Sequence, residues 1–167
     1  MLYFLGMNFL SAQEYETIAW TEKRLTWKDF KGAPPVSDRV AATTASGISY
    51  QFSTTGTKDA LTIDFVITTH FYPKKSWYKP VLCDDFVLGH EQLHFDISEL
   101  FARKLGKELS EATFTHENVK AKVKAIYNKN TKALNDYQNR YDEETNFSRY
   151  LQQQILWNKK IAEALKR

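Results

Sequence analysis

Cysteine is nearly absent from this 167-residue chain: Cys83 stands alone, so no intramolecular disulfide can form and packing must hold the fold together. Prolines number only four, and Pro73 and Pro80 limit how far any regular element runs in their part of the chain. The six glycines form no glycine-rich phosphate loop. Neither sign of charge dominates. The net charge is +3, with Lys and Arg spread along the sequence, which gives no reason to propose a nucleic-acid partner. Beyond the first residues no apolar run is long enough to span a bilayer. Internal repeats and low-complexity segments are missing, and no Ser/His/Asp or Cys/His arrangement is suggested. What is abundant is apolar (43%) and aromatic (14%) residues, enough to exclude a disordered chain and to fill the core of one domain.

The first residues differ from the rest. Met1 to Leu10 is apolar apart from Asn8, and Ser11-Ala12-Gln13 follows. Small residues after an apolar run resemble a signal-peptide cleavage site, although the basic beginning of such a peptide is missing. Residues 1–12 are therefore expected to be a shortened signal peptide. The mature chain would begin near Gln13, as one domain over 13–167 exported to the periplasm or the medium. A short buried strand or a tail is the alternative.

The first half of the chain carries strand signals. Ala41 to Phe52 ends in the alternation Ile48, Tyr50, Phe52, and Ser53 to Asp59 reads as a hairpin turn around Gly56. Leu61, Ile63, Phe65 and Ile67 then share one face of a second strand. The second half is helical. Apolar residues at Phe86, Leu93, Ile97, Leu100, Phe101 and Leu105 predict a helix from about Asp84 to Leu105, closing near Gly106. Two more helices are expected, over about 117–140 and 149–166. Antiparallel strands first and helices afterwards predict an α+β domain.

The first of those helices carries His90-Glu91-Gln92-Leu93-His94. Residues four apart on a helix lie about 40° apart around its axis, so both imidazoles can reach one ion. Glu91 projects beside them, where it can take a proton from a metal-activated water. The competing reading treats the two rings as core histidines satisfied by hydrogen bonds. Catalytic zinc takes three protein ligands, so one more is needed. His70, at a strand end, and His116, near a helix start, are weak candidates. The acidic run Tyr141-Asp142-Glu143-Glu144 is better placed, because it closes a helix running back towards His90. Acids there oppose the helix dipole, which a bound cation would offset.

Several segments, in order, resemble a bacterial family described as predicted secreted zinc-dependent proteases, a domain of unknown function. They are Leu25-Thr26-Trp27-Lys28-Asp29-Phe30 with Gly32 and Pro34, Ser76-Trp77, His90 to Ile97, Tyr141-Asp142 with Thr145, and Trp157-Asn158. The likeness covers nearly the whole mature chain. It implies a zincin-like domain, zinc, and a peptide or protein substrate. The family's third motif continues to a histidine where this chain has Phe147. With that histidine missing, the third ligand is expected to be Asp142. The same departure supports a second reading, an exported non-catalytic binding module on a degenerate zincin scaffold, with Tyr72, Trp77 and Tyr78 as a contact patch.

Overall fold

In the computed structural model, residues 16–36, 40–57 and 60–166 are described. The expected signal peptide lies outside them. The architecture is α+β, as the strand-then-helix order predicts. Five strands come first, β1 (Ile18–Ala19), β2 (Ala42–Thr43), β3 (Ser46–Thr57), β4 (Ala60–Phe71) and β5 (Trp77–Tyr78). Helices α1 (Asp85–Glu111), α2 (Val119–Thr145) and α3 (Leu151–Leu165) follow.

β3 and β4 form a long antiparallel hairpin in the register Ile48↔Thr69, Tyr50↔Ile67 and Phe52↔Phe65. The expected turn at Ser53 is instead strand as far as Thr57, so the hairpin is longer than its Ser/Thr-rich tip suggests. β1 joins the other edge of β4. Alternation places Ile48, Tyr50 and Phe52 on the same face as Ile63, Phe65 and Ile67, and this face packs on the helices. β2 and β5 make a separate two-stranded ribbon.

Helix α1 lies between the sheet and the other two helices. Asp84 caps it, its carboxylate accepting from the backbone N–H groups of Phe86 (3.0 Å) and Val87 (2.9 Å). The helix does not close at Gly106 but continues to Glu111. At Gly106 it passes so near β4 that a Cβ would sit 3.3 Å from Ile67 Cδ1, so this glycine marks a close approach rather than a helix end. Residues 90–98 are buried without interruption, polar ones included. A one-sided apolar stripe does not account for that.

The N-terminal segment does. Trp20 Nε1 donates to Asp96 Oδ1 (2.9 Å), the Leu25 amide donates to Gln92 Oε1 (2.7 Å), and Gln92 Nε2 donates on to Asp96 (2.9 Å). Leu25 and Phe30 form a second small core with Phe71 and Phe95, flanked by Trp27, Tyr78 and Leu88. The Leu25–Phe30 motif thus clamps the side of α1 that the helix pattern alone assigns to solvent. Tyr78 belongs to this clamp, stacked on Trp27 at 4.5 Å.

Gly32 completes the clamp. Its N–H donates to Ser76 O (2.8 Å), and a Cβ added there would lie 2.8 Å from that backbone oxygen. Gly32→Ala is therefore expected to destabilise the protein by about 1–3 kcal/mol, as overpacking does elsewhere. Denaturant unfolding monitored by tryptophan fluorescence measures it.

Candidate metal centre

Helices α1 and α2 bring together what the sequence separates by about fifty positions. His90 and His94 stand one turn apart on α1, buried, with ring centroids 5.0 Å apart and planes at 83°. Facing them from the last turns of α2 is Asp142. Its Oδ1 lies 3.1 Å from His90 Nε2 and 3.0 Å from His94 Nε2. All three ligand atoms fall within 4.8 Å of one another, and this is the metal-capable His/Cys/Asp/Glu group among the described residues. His70 is not in it: its Nε2 meets Ser49 Oγ at 2.6 Å on the outer face of the hairpin. His116 lies in the turn preceding α2 and is likewise not part of the group.

The other ring nitrogens are also engaged. His90 Nδ1 meets Gln154 Oε1 at 2.8 Å and His94 Nδ1 meets Gln138 Oε1 at 2.7 Å. Tyr141, fully buried, stacks on the His90 ring at 4.6 Å and donates its hydroxyl to His90 O (3.2 Å). It is a packed aromatic, and burial pushes its hydroxyl far above the usual tyrosine range. Asp96, on the same helix, does not orient the histidines; it serves the N-terminal clamp. The two glutamines orient the rings. The sequence signal for one was available, since Gln138 stands one helical turn before Asp142 on the same face. Gln154 comes from a different helix and leaves no such trace.

These groups open into a cleft of about 690 Å³ that also contains Glu91, with β2 on one side and Asn135 and Asn139 of α2 on another. Thr44 Oγ1 donates to Glu91 O (3.0 Å), tying α1 to the residue after β2. The Glu91 side chain is buried, and its Oε2 has no hydrogen-bond partner among the described residues. A buried carboxylate oxygen left bare is costly unless a ligand, water or cation meets it.

The donor set suits a divalent cation. Two imidazoles and one carboxylate are what catalytic zinc uses while leaving a fourth position open. Bonds of about 2.0–2.1 Å in tetrahedral geometry put ligand atoms roughly 3.3 Å apart, close to the two His–Asp separations seen here.

Protons and metal compete for this corner. Burial raises the Asp142 carboxyl, but hydrogen bonds and charge from His90 and His94 outweigh it and hold the group far below the usual range. For His94, burial works downward, yet the Asp142 hydrogen bond, the charges of Glu91 and Asp142, and the Gln138 contact raise it above the ordinary 6.5. The raised His94 contributes stability that is fully present below pH 6.5 and lost as pH rises through its folded value. Asp142 contributes stability above its ordinary 3.8, lost as pH falls through its depressed value. Thermal melts in chelator should therefore show a midpoint that falls as pH climbs above about 6.5, and Asp142→Asn should flatten that slope.

After Thr145 the chain makes a left-handed turn through Asn146, Phe147 and Ser148, with φ of 47°, 52° and 71°. Phe147 N–H donates back to Asp142 O (2.9 Å), which closes α2 just beyond Asp142. Asn tolerates this conformation; phenylalanine is strained in it, by about 1–2 kcal/mol. The turn leaves Phe147 half-exposed in the wall of the same cleft.

No helix among the described residues is long and apolar enough to cross a membrane. No curated protein and no solved structure matches the chain. Residues 10–148, which include both histidines, Glu91, Asp142 and Phe147, match the family described as bacterial protein of unknown function (DUF922), and the chain belongs to that family.

Proposed function

We propose that this protein is an exported zinc-dependent peptidase that hydrolyses peptide bonds in a peptide or protein substrate. One observation carries the reading: a His–His–Asp donor set lines one cleft together with Glu91, a buried carboxylate whose Oε2 has no hydrogen-bond partner among the described residues. A purely structural ion would leave that oxygen without a task. Export rests on the apolar run from Met1 to Leu10 and the small residues after it.

His90, His94 and Asp142 would hold the ion. When bound, zinc supplies Lewis acidity, polarising a carbonyl and lowering the pKa of water. Glu91 then acts as general base, its carboxylate taking a proton from the attacking water and returning it to the leaving nitrogen. Asp142, already ionised far below neutral pH, remains a negative ligand throughout. The cleft lies between β2 and α2, and Thr44 ties the Glu91 backbone to the β2 wall.

A second reading, a non-catalytic binding module, has Phe147 in its favour: a half-exposed aromatic in strained backbone lines the cleft where the resemblance puts a histidine. One assay separates the two. Hydrolysis of quenched fluorescent peptides should be present in zinc-loaded protein, vanish with chelator and return with added zinc. Absence of hydrolysis in the native chain, with activity gained in Phe147→His, would decide for the degenerate site.

A further inference from the structure

We propose that this cleft selects peptides carrying a bulky apolar side chain, and that Phe147, with Leu82 and Val40, is the surface that recognises it. This names the substrate class of the same site. It rests on the peptide-binding part of the proposed function and not on turnover.

Large apolar side chains in water are ordinary when scattered singly and informative when they converge. Here they converge. Val40 precedes β2, Leu82 follows β5 and Phe147 follows α2, yet all three line the cleft that holds His90, Glu91 and Asp142. They are 40%, 53% and 53% exposed, and none belongs to either hydrophobic core. Pockets that bind small partners are built this way, with apolar walls around a few polar groups.

The backbone gives a second, independent observation. Phe147 is held at φ 52°, between Asn146 and Ser148, which are left-handed too. A phenylalanine occupies that conformation at a cost. A core residue would recover the cost from its neighbours, whereas a ring left half in water does not. Strain kept in the wall of a cleft points to a partner outside the chain. The turn also fixes where the ring stands, because the Phe147 N–H bonds to the carbonyl of Asp142 itself.

Charge decides what this surface takes. Among the described residues lining the cleft the acids are Glu91 and Asp142, and both are committed to the metal centre. A lysine or arginine side chain would find no further carboxylate there. The cation of the wall is Arg149, whose Nη1 donates to Asn146 O (3.3 Å). It is exposed, so water and salt screen its pull on an acidic side chain. An apolar side chain, in contrast, leaves water together with the Phe147 and Leu82 surfaces it covers.

The test measures binding first, so that it does not depend on catalysis. Fluorescein-labelled peptides, identical except for phenylalanine, leucine, lysine or glutamate at one central position, are titrated against the full chain carrying Glu91→Gln, with and without zinc. Anisotropy should show the phenylalanine and leucine peptides binding at least about tenfold more tightly than the other two, the selectivity an apolar pocket supplies. Adding Phe147→Asn, or separately Leu82→Asn, should cut that ratio severalfold by weakening the apolar peptides. In the native background Phe147→Asn should melt no lower than the parent chain, because asparagine tolerates the left-handed turn. Equal binding across the panel, tightest binding of the lysine or glutamate peptide, or a ratio that survives both substitutions would overturn the proposal. So would a clear fall in the melting midpoint of Phe147→Asn, which would make the ring a packing residue. Hydrolysis of the same peptides by the native chain separates this proposal from the peptidase reading. Apolar preference without hydrolysis keeps the recognition surface and removes the peptidase; hydrolysis without apolar preference does the reverse.

Discussion

Replacing Glu91 by glutamine should leave zinc content unchanged and lower peptide hydrolysis by at least about a hundredfold, general acid–base catalysis being worth roughly 10²–10⁴. Glutamine has nearly the shape of glutamate, and Glu91 is not among the three donor atoms, so the metal corner has no reason to move. What disappears is a basic oxygen. The carboxylate becomes an amide that cannot take a proton from water. Folding stability should hold or rise, because a buried carboxylate without a partner costs more than a buried amide. Steady-state kinetics beside elemental analysis of one preparation checks both halves. Retained metal with native turnover would remove Glu91 from the chemistry.

Asp142→Ala should have the second large effect, on the metal itself. Outer partners of zinc ligands are worth about 10–100-fold in affinity, and losing a direct ligand should exceed that. The variant removes one of three donors and also the negative charge facing two buried imidazoles. Metal-free, it should lose the pH-dependent stability that the His–Asp contacts provide, since the raised His94 depends on Asp142. Zinc titration against a competing chelator gives the affinity. An affinity within tenfold of native would show that the third ligand lies elsewhere.

The fold was legible where periodicity speaks directly. The alternation Ile48, Tyr50, Phe52 against Ile63, Phe65, Ile67 describes the inner face of the hairpin, and the 3.6-residue pattern with Asp84 marks the start of α1. Ends were read less well. Gly106 looked like a stop because helices often end at glycine, but here it gives room to Ile67, a contact set by the sheet and invisible locally. The burial of Gln92 and Asp96 was hidden for the same reason, because their partners Trp20 and Leu25 lie about seventy positions away.

The site divides along the same line. His90, Glu91 and His94 are local, one helical turn, and any reading of helix geometry finds them. Asp142 required the antiparallel return of α2, an inference about topology, and the structure brings it to the two rings. Gln154 was out of reach, since nothing in Gln152-Gln153-Gln154 marks which amide turns inward. Packing of α3 through Trp157 and Ile161 decides it.

Zinc uptake by the purified chain tests the central claim most directly. Calorimetric titration of metal-free protein should give one ion per chain, and the double variant His90→Ala, His94→Ala should take up none at the same concentrations. A native chain that binds no zinc, or a double variant that binds it undiminished, would contradict the account.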